Sequence, residues 1–216
     1  MAWLQLSWKL DILDNNEKSD EPSLQFIFIT IFNGDIRINA HRTGNLFASG
    51  GFGVGTFGWP GNQPFGIFNS KNVPTERNPF LGVVVRALEC DNSGSSDRDT
   101  DFQNLQDAVR SAVEDNIRSG GIPDSTVLWR AAHGVKLIDN FGDDDDRIGV
   151  SARAYPEYGR QISAAIAAES RLGGGGIVMA DTIIPIELGF LEGDAHYKLI
   201  DTEIRIVTND PPLSNP

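Results

Sequence analysis

The sequence predicts a mostly β protein, an antiparallel β-sandwich with one amphipathic helix inserted in a connection. Three observations predict it. Runs with period-two alternation, or with continuous β-branched and aromatic residues, recur along the chain. Stretches rich in Gly, Asn, Asp and Ser separate them. One long segment, 101–118, has sustained helical spacing.

Taken in order, Trp3 to Leu13 alternates, with Leu4, Leu6, Trp8, Leu10 and Ile12 on one side. That is a half-buried strand. Leu24 to Phe32 is apolar on both faces and reads as a central strand covered on both sides. Asn33-Gly34-Asp35 is a turn signal, and Ile36 to Ile38 begins a hairpin partner. The glycine-rich segment 44–69 also carries Phe47, Phe52, Phe57, Trp59, Phe65 and Phe68. Glycine weakens regular structure, so this is a long loop or an irregular strand pair anchored by aromatics. Phe80 to Leu88 is a second buried strand.

The helix follows. Thr100 and Gln103 form a capping box, and Phe102, Leu105, Val109, Val113 and Ile117 share one face. Gly120-Gly121 is its stop signal. Val127 to Trp129 and Val135 to Ile138 read as short strands, and Ile148 to Tyr155 as a longer one. A short second helix is expected over 162–172, ended by Gly173 to Gly176. Ile177 to Leu188, interrupted by Pro185, and His196 to Val207 are the last strands. Seven to nine strands in one domain over 1–208, with a polar tail over 209–216, complete the reading.

Charge narrows the function. Lys and Arg number 18 against 30 Asp and Glu, a net charge of −12. That argues against nucleic acid, which needs clustered cations. A single cysteine, Cys90, excludes an internal disulfide framework; flanked by Glu89 and Asp91, it reads as a buried, inert thiol. Lys9, Asp11 and Asp14 interrupt the apolar start, so no cleavable signal peptide is expected, nor any transmembrane segment. The chain reads as soluble, either cytoplasmic or exported without a leader.

The acidic residues gather at strand ends. Asp20 and Glu21 precede the Leu24 strand; Glu89 and Asp91 close the Phe80 strand; Asp143, Asp144, Asp145 and Asp146 precede the Ile148 strand. Crowded carboxylates repel one another, and a hard divalent cation relieves the repulsion. Ca²⁺ wants six to eight oxygens, which Asp- and Glu-rich loops supply. These eight residues are the expected metal ligands. Asp97, Asp99 and Asp101 match the opening of an EF-hand loop, but Phe102 replaces its glycine and Ala108 its closing glutamate.

Asp146-Arg147-Ile148-Gly149, preceded by aspartates, resembles the third calcium loop of the synaptotagmin-type calcium and phospholipid-binding sandwich, also found in protein kinase C. The resemblance implies bound Ca²⁺, with further aspartates from an early loop where Asp14 and Asp20 stand. It also implies Ca²⁺-dependent docking to a membrane or protein partner. The basic patch that many members apply to anionic lipid is missing, so the calcium part carries over more directly.

Other chemistries find less support. Gly53-Val-Gly-Thr-Phe-Gly58 has the spacing of a dinucleotide loop, but Trp59-Pro60-Gly61 does not open a helix. His41, His133 and His196 lack zinc spacing, and no nucleophile elbow is present. The expected protein is therefore a non-enzymatic calcium-binding module. Two alternatives stand beside it: a structural or assembly protein with solvated acidic loops, and a carbohydrate-binding module using the Gly/aromatic loop around Trp59.

Overall fold

The structure, a computed structural model, describes residues 2–14, 22–32, 35–43, 55–58, 63–68, 80–90, 95–138, 146–155, 184–192 and 195–207. These form nine strands and two helices. In chain order they are β1 (Ala2–Asp14), β2 (Pro22–Phe32), β3 (Asp35–Arg42), β4 (Gly55–Gly58), β5 (Gln63–Phe68), β6 (Phe80–Glu89), α1 (Ser95–Arg118), α2 (Ser125–His133), β7 (Asp146–Tyr155), β8 (Ile184–Glu192) and β9 (Ala195–Val207).

All strand pairings are antiparallel and fall into two sheets. The first has the order β3-β2-β6-β7. The turn signal at Asn33-Gly34 joins β2 to β3, with Phe32 opposite Asp35. β2 and β6, the two continuous apolar runs, occupy the middle, and residues 80–90 are all buried. The second sheet has the order β4-β1-β9-β8. The glycine-rich segment contributes β4 and β5, which share one edge of β1: β4 along Lys9–Ile12 and β5 along Ala2–Leu6. Alternation decides the faces here. Leu10, Ile12, Tyr197 and Leu199 are buried, while Lys9, Leu13 and Lys198 are exposed.

One face of the first sheet carries the helices. Leu105, Val109 and Val113 of α1 and Leu128 and Ala132 of α2 are buried against Ile27, Ile29, Phe80, Val84, Val150 and Ala152. Phe102 and Ile117 complete the α1 stripe expected from its spacing. Gly120 ends the helix at φ 80°, its N–H bonding to Ile117 O at 2.8 Å and that of Gly121 to Asn116 O at 2.9 Å. That is the two-bond cap for which a left-handed glycine is suited.

Three expectations are corrected. α1 begins at Ser95, so Thr100 and Gln103 lie within the helix and do not cap it. Val127 to Trp129 belongs to α2, not to a strand. Asp124 caps that helix by accepting from Val127 N at 2.8 Å, and Leu128 and Ala132, four residues apart, are its buried positions. Residues 135–138 are not in a strand. The helix expected over 162–172 lies outside the described residues.

β7 is an edge strand of the first sheet and approaches β8, an edge of the second. Three of its backbone groups are taken by side chains. Trp129 Nε1 donates to Val150 O at 3.0 Å, Arg153 Nη1 to Ala152 O at 3.3 Å, and Ala154 N donates to Ser125 Oγ at 2.9 Å. An edge covered in this way no longer offers a bare template to another strand. A groove of about 420 Å³ remains beside it, lined by Trp129, Ser151, Arg153 and Gly189 among others.

Candidate functional site

The first sheet sets three of its strand ends in one row. Pro22, which opens β2, pairs with Glu89, which closes β6, and Glu89 pairs with Asp146, which opens β7. Neighbouring strands lie about 4.8 Å apart, so the row spans roughly 10 Å. Two local devices fix it. At the start of β2, Leu24 N donates to Thr43 Oγ1 at 2.8 Å and Ser23 Oγ donates to Thr43 O at 3.0 Å. At the start of β7 the register slips: Ala87 faces Gly149 while Leu88 faces Arg147. Ile148 is the extra residue of a bulge, and Gly149 carries it at φ 153°, where a side chain would be strained. The Ile-Gly of the calcium-loop resemblance thus has a backbone role.

Of the eight expected ligands, Glu89 is described in full. It is only 4% exposed. Asp146 is described as the first residue of β7. Asp20, Glu21, Asp91, Asp143, Asp144 and Asp145 lie outside the described residues. In sequence, Glu21 directly precedes Pro22, Asp91 follows Glu89 by two residues, and Asp145 directly precedes Asp146. Among the described residues, no group of three or more His, Cys, Asp or Glu side chains is arranged to hold a metal.

The Asp97-Asp99-Asp101 series lies on α1 and does other work. Asp99 pairs with Arg42 at 2.7 Å. The buried Asp101 carboxylate accepts from Ile138 N at 3.0 and 3.2 Å, tying α1 to the segment after α2. Cys90 is buried, as expected from its setting.

Beside this row, on the helix-covered side, lies a polar corner that the sequence reading did not single out. Arg86 is fully buried. Its Nε donates to Gln25 Oε1 at 2.7 Å and its Nη2 to the Asp101 carbonyl at 3.1 Å. Burial lowers its pKa to about 10; Asp101 opposes that shift, and the charge of Arg147 adds to it. The guanidinium therefore remains charged at neutral pH. Arg147 in turn donates to His133 O at 2.8 Å, placing a cation at the C-terminus of α2. The signal was present in the sequence. Gln25 and Arg86 are long polar side chains inside strands that are mostly apolar on both faces. Such residues must find partners in the interior.

No protein family, curated protein or solved structure matches the chain. The site stands on its own geometry. Among the described residues, no helix is long and apolar enough to cross a membrane.

Proposed function

We propose that the protein is a non-enzymatic Ca²⁺-binding β module whose acidic strand-end loops chelate the ion. One observation carries this reading: Pro22, Glu89 and Asp146 stand side by side in the sheet register. The three acidic clusters are attached to the chain at those points, so the register supports a shared end. Asp20, Glu21, Glu89, Asp91 and Asp143 to Asp146 are the proposed ligands, and Ca²⁺ would offset the repulsion among them. A loop end stiffened by the ion would then dock to a protein or membrane partner.

Calorimetric titration of chelator-stripped protein tests the proposal. Heat saturating at about one to three Ca²⁺, with a weak response to Mg²⁺, is expected, because Mg²⁺ demands tighter octahedral geometry and sheds water reluctantly. Ca²⁺ should also raise the melting temperature, and Asp144→Ala should abolish most of that gain. No heat with either ion and no thermal shift would transfer the reading to a structural or assembly protein with solvated acidic loops.

A further inference from the structure

The groove beside β7 has walls unlike the acidic chain that builds it. It holds about 420 Å³, and small-molecule sites run from about 300 to 1,000 Å³. Among the described residues that line it there is no Asp or Glu, in a chain with 30 of them against 18 Lys and Arg. Its one charged wall is Arg153. Among the described residues no carboxylate pairs with that guanidinium; Nη1 donates to the adjoining Ala152 carbonyl at 3.3 Å. The Nε and Nη2 edge is left without an acceptor there. That edge carries two parallel N–H groups, the fork that matches a carboxylate.

A second wall is the indole of Trp129, which is 39% exposed. It is held twice: Nε1 donates to Val150 O at 3.0 Å, and His133 stacks on it with ring centres 4.4 Å apart. His133 does not line the groove, so the indole borders it with surface that His133 leaves uncovered. Ser125, Thr126 and Ser151 add hydroxyls. Ser125 Oγ accepts from Ala154 N and keeps its own proton to donate. On the β8 side stands Gly189, where even an added Cβ would meet nothing within 4 Å. Each wall selects. One guanidinium suits a single negative charge, whereas a phosphate dianion calls for a second cation. A fixed indole suits the flat side of a ring, and the hydroxyls suit hydroxyls on that ring. We propose that the groove binds a hydroxylated ring bearing one carboxylate, the chemistry of a uronic acid, with the carboxylate on Arg153 and the ring against Trp129. The calcium reading uses none of these residues, so either proposal can fail without the other.

The test is a titration of the full chain with D-glucuronate, D-glucose and acetate at constant ionic strength, followed by calorimetry and by amide NMR. Glucuronate carries both features, glucose lacks the charge, and acetate lacks the ring. Saturable binding of glucuronate is expected, about tenfold or more tighter than that of either control. Amide shifts should centre on Thr126, Ser151 and Arg153. Arg153→Gln changes an exposed side chain and should melt as the parent does, yet lose about tenfold or more in glucuronate affinity. The absence of saturable glucuronate binding overturns the proposal, as does equal binding of glucose. Shifts centred away from the groove, or an unchanged affinity in Arg153→Gln, overturn it as well.

Discussion

At Asp101 one residue serves two neighbours. Its carboxylate holds the Ile138 N–H, and its backbone carbonyl receives Arg86 Nη2. Asp99, two residues earlier, makes a shorter contact with Arg42, but its side chain is 71% exposed. The two deletions should therefore differ. Asp101→Ala leaves a half-buried N–H unmet and removes countercharge near a buried guanidinium, for a loss of about 2–3 kcal/mol. Asp99→Ala should cost less than about 1 kcal/mol, as for other solvated pairs. Urea midpoints of the two variants check the ordering; equal losses would contradict it. The sequence displayed these aspartates as a spaced acidic series, which is as compatible with a metal loop as with a helix. Only the distant partner Ile138 decides the matter, and no local pattern reveals it. Gln25 and Arg86 were legible as anomalies in apolar strands, but not as partners of each other.

At the scale of elements, period and composition sufficed where the segments were long. The α1 stripe and strands β2 and β6 follow their expected patterns closely. They failed at α2, where Val127-Leu128-Trp129 shows three successive apolar residues in a nine-residue helix. So short a helix displays barely two turns of periodicity, and Asp124 was the better signal. Its seat on the sheet depends on Gly82. A Cβ there would lie 2.8 Å from Leu128 Cδ1 and 2.9 Å from Phe80 Cε1. Gly82→Ala should overpack this contact and cost about 1–3 kcal/mol. It should also weaken the cover that α2 gives to β7. A thermal melt of the variant measures the first effect, and loss of protection at the Ala154 amide in hydrogen exchange measures the second. An unchanged melt would mean that α2 shifts away without penalty.

For the whole molecule, charge and order matter together. Burial lowers the pKa of His41 on β3 below its ordinary 6.5. The unfolded chain therefore takes up a proton at higher pH than the folded one. Stability from this group is present above pH 6.5 and is lost as pH falls through the lower folded value. Urea midpoints between pH 7.5 and 5.5 should decline, and His41→Gln should flatten the decline; an identical slope in the variant would assign it to other groups. A mostly β fold of seven to nine strands was legible at this scale, whereas the assignment of strands to the two sheets was not. Nothing local announces that β1 pairs with β9, since Lys9 and Ile200 meet across nearly the whole chain.

That pairing has a consequence for the order of assembly. Every strand of the helix-covered sheet lies between Pro22 and Tyr155, and each of its ladders spans far less of the chain than the β1–β9 ladder does. The other sheet places β9 between β1 and β8. During synthesis, β1 emerges early and must wait, flanked at most by β4 and β5, until β9 leaves the ribosome. Closing so long a loop is slow compared with closing the local ones. A nascent chain halted after Tyr155 would thus carry a finished half beside a strand still lacking its main partner, and that strand is where a chaperone would have its longest opportunity to bind.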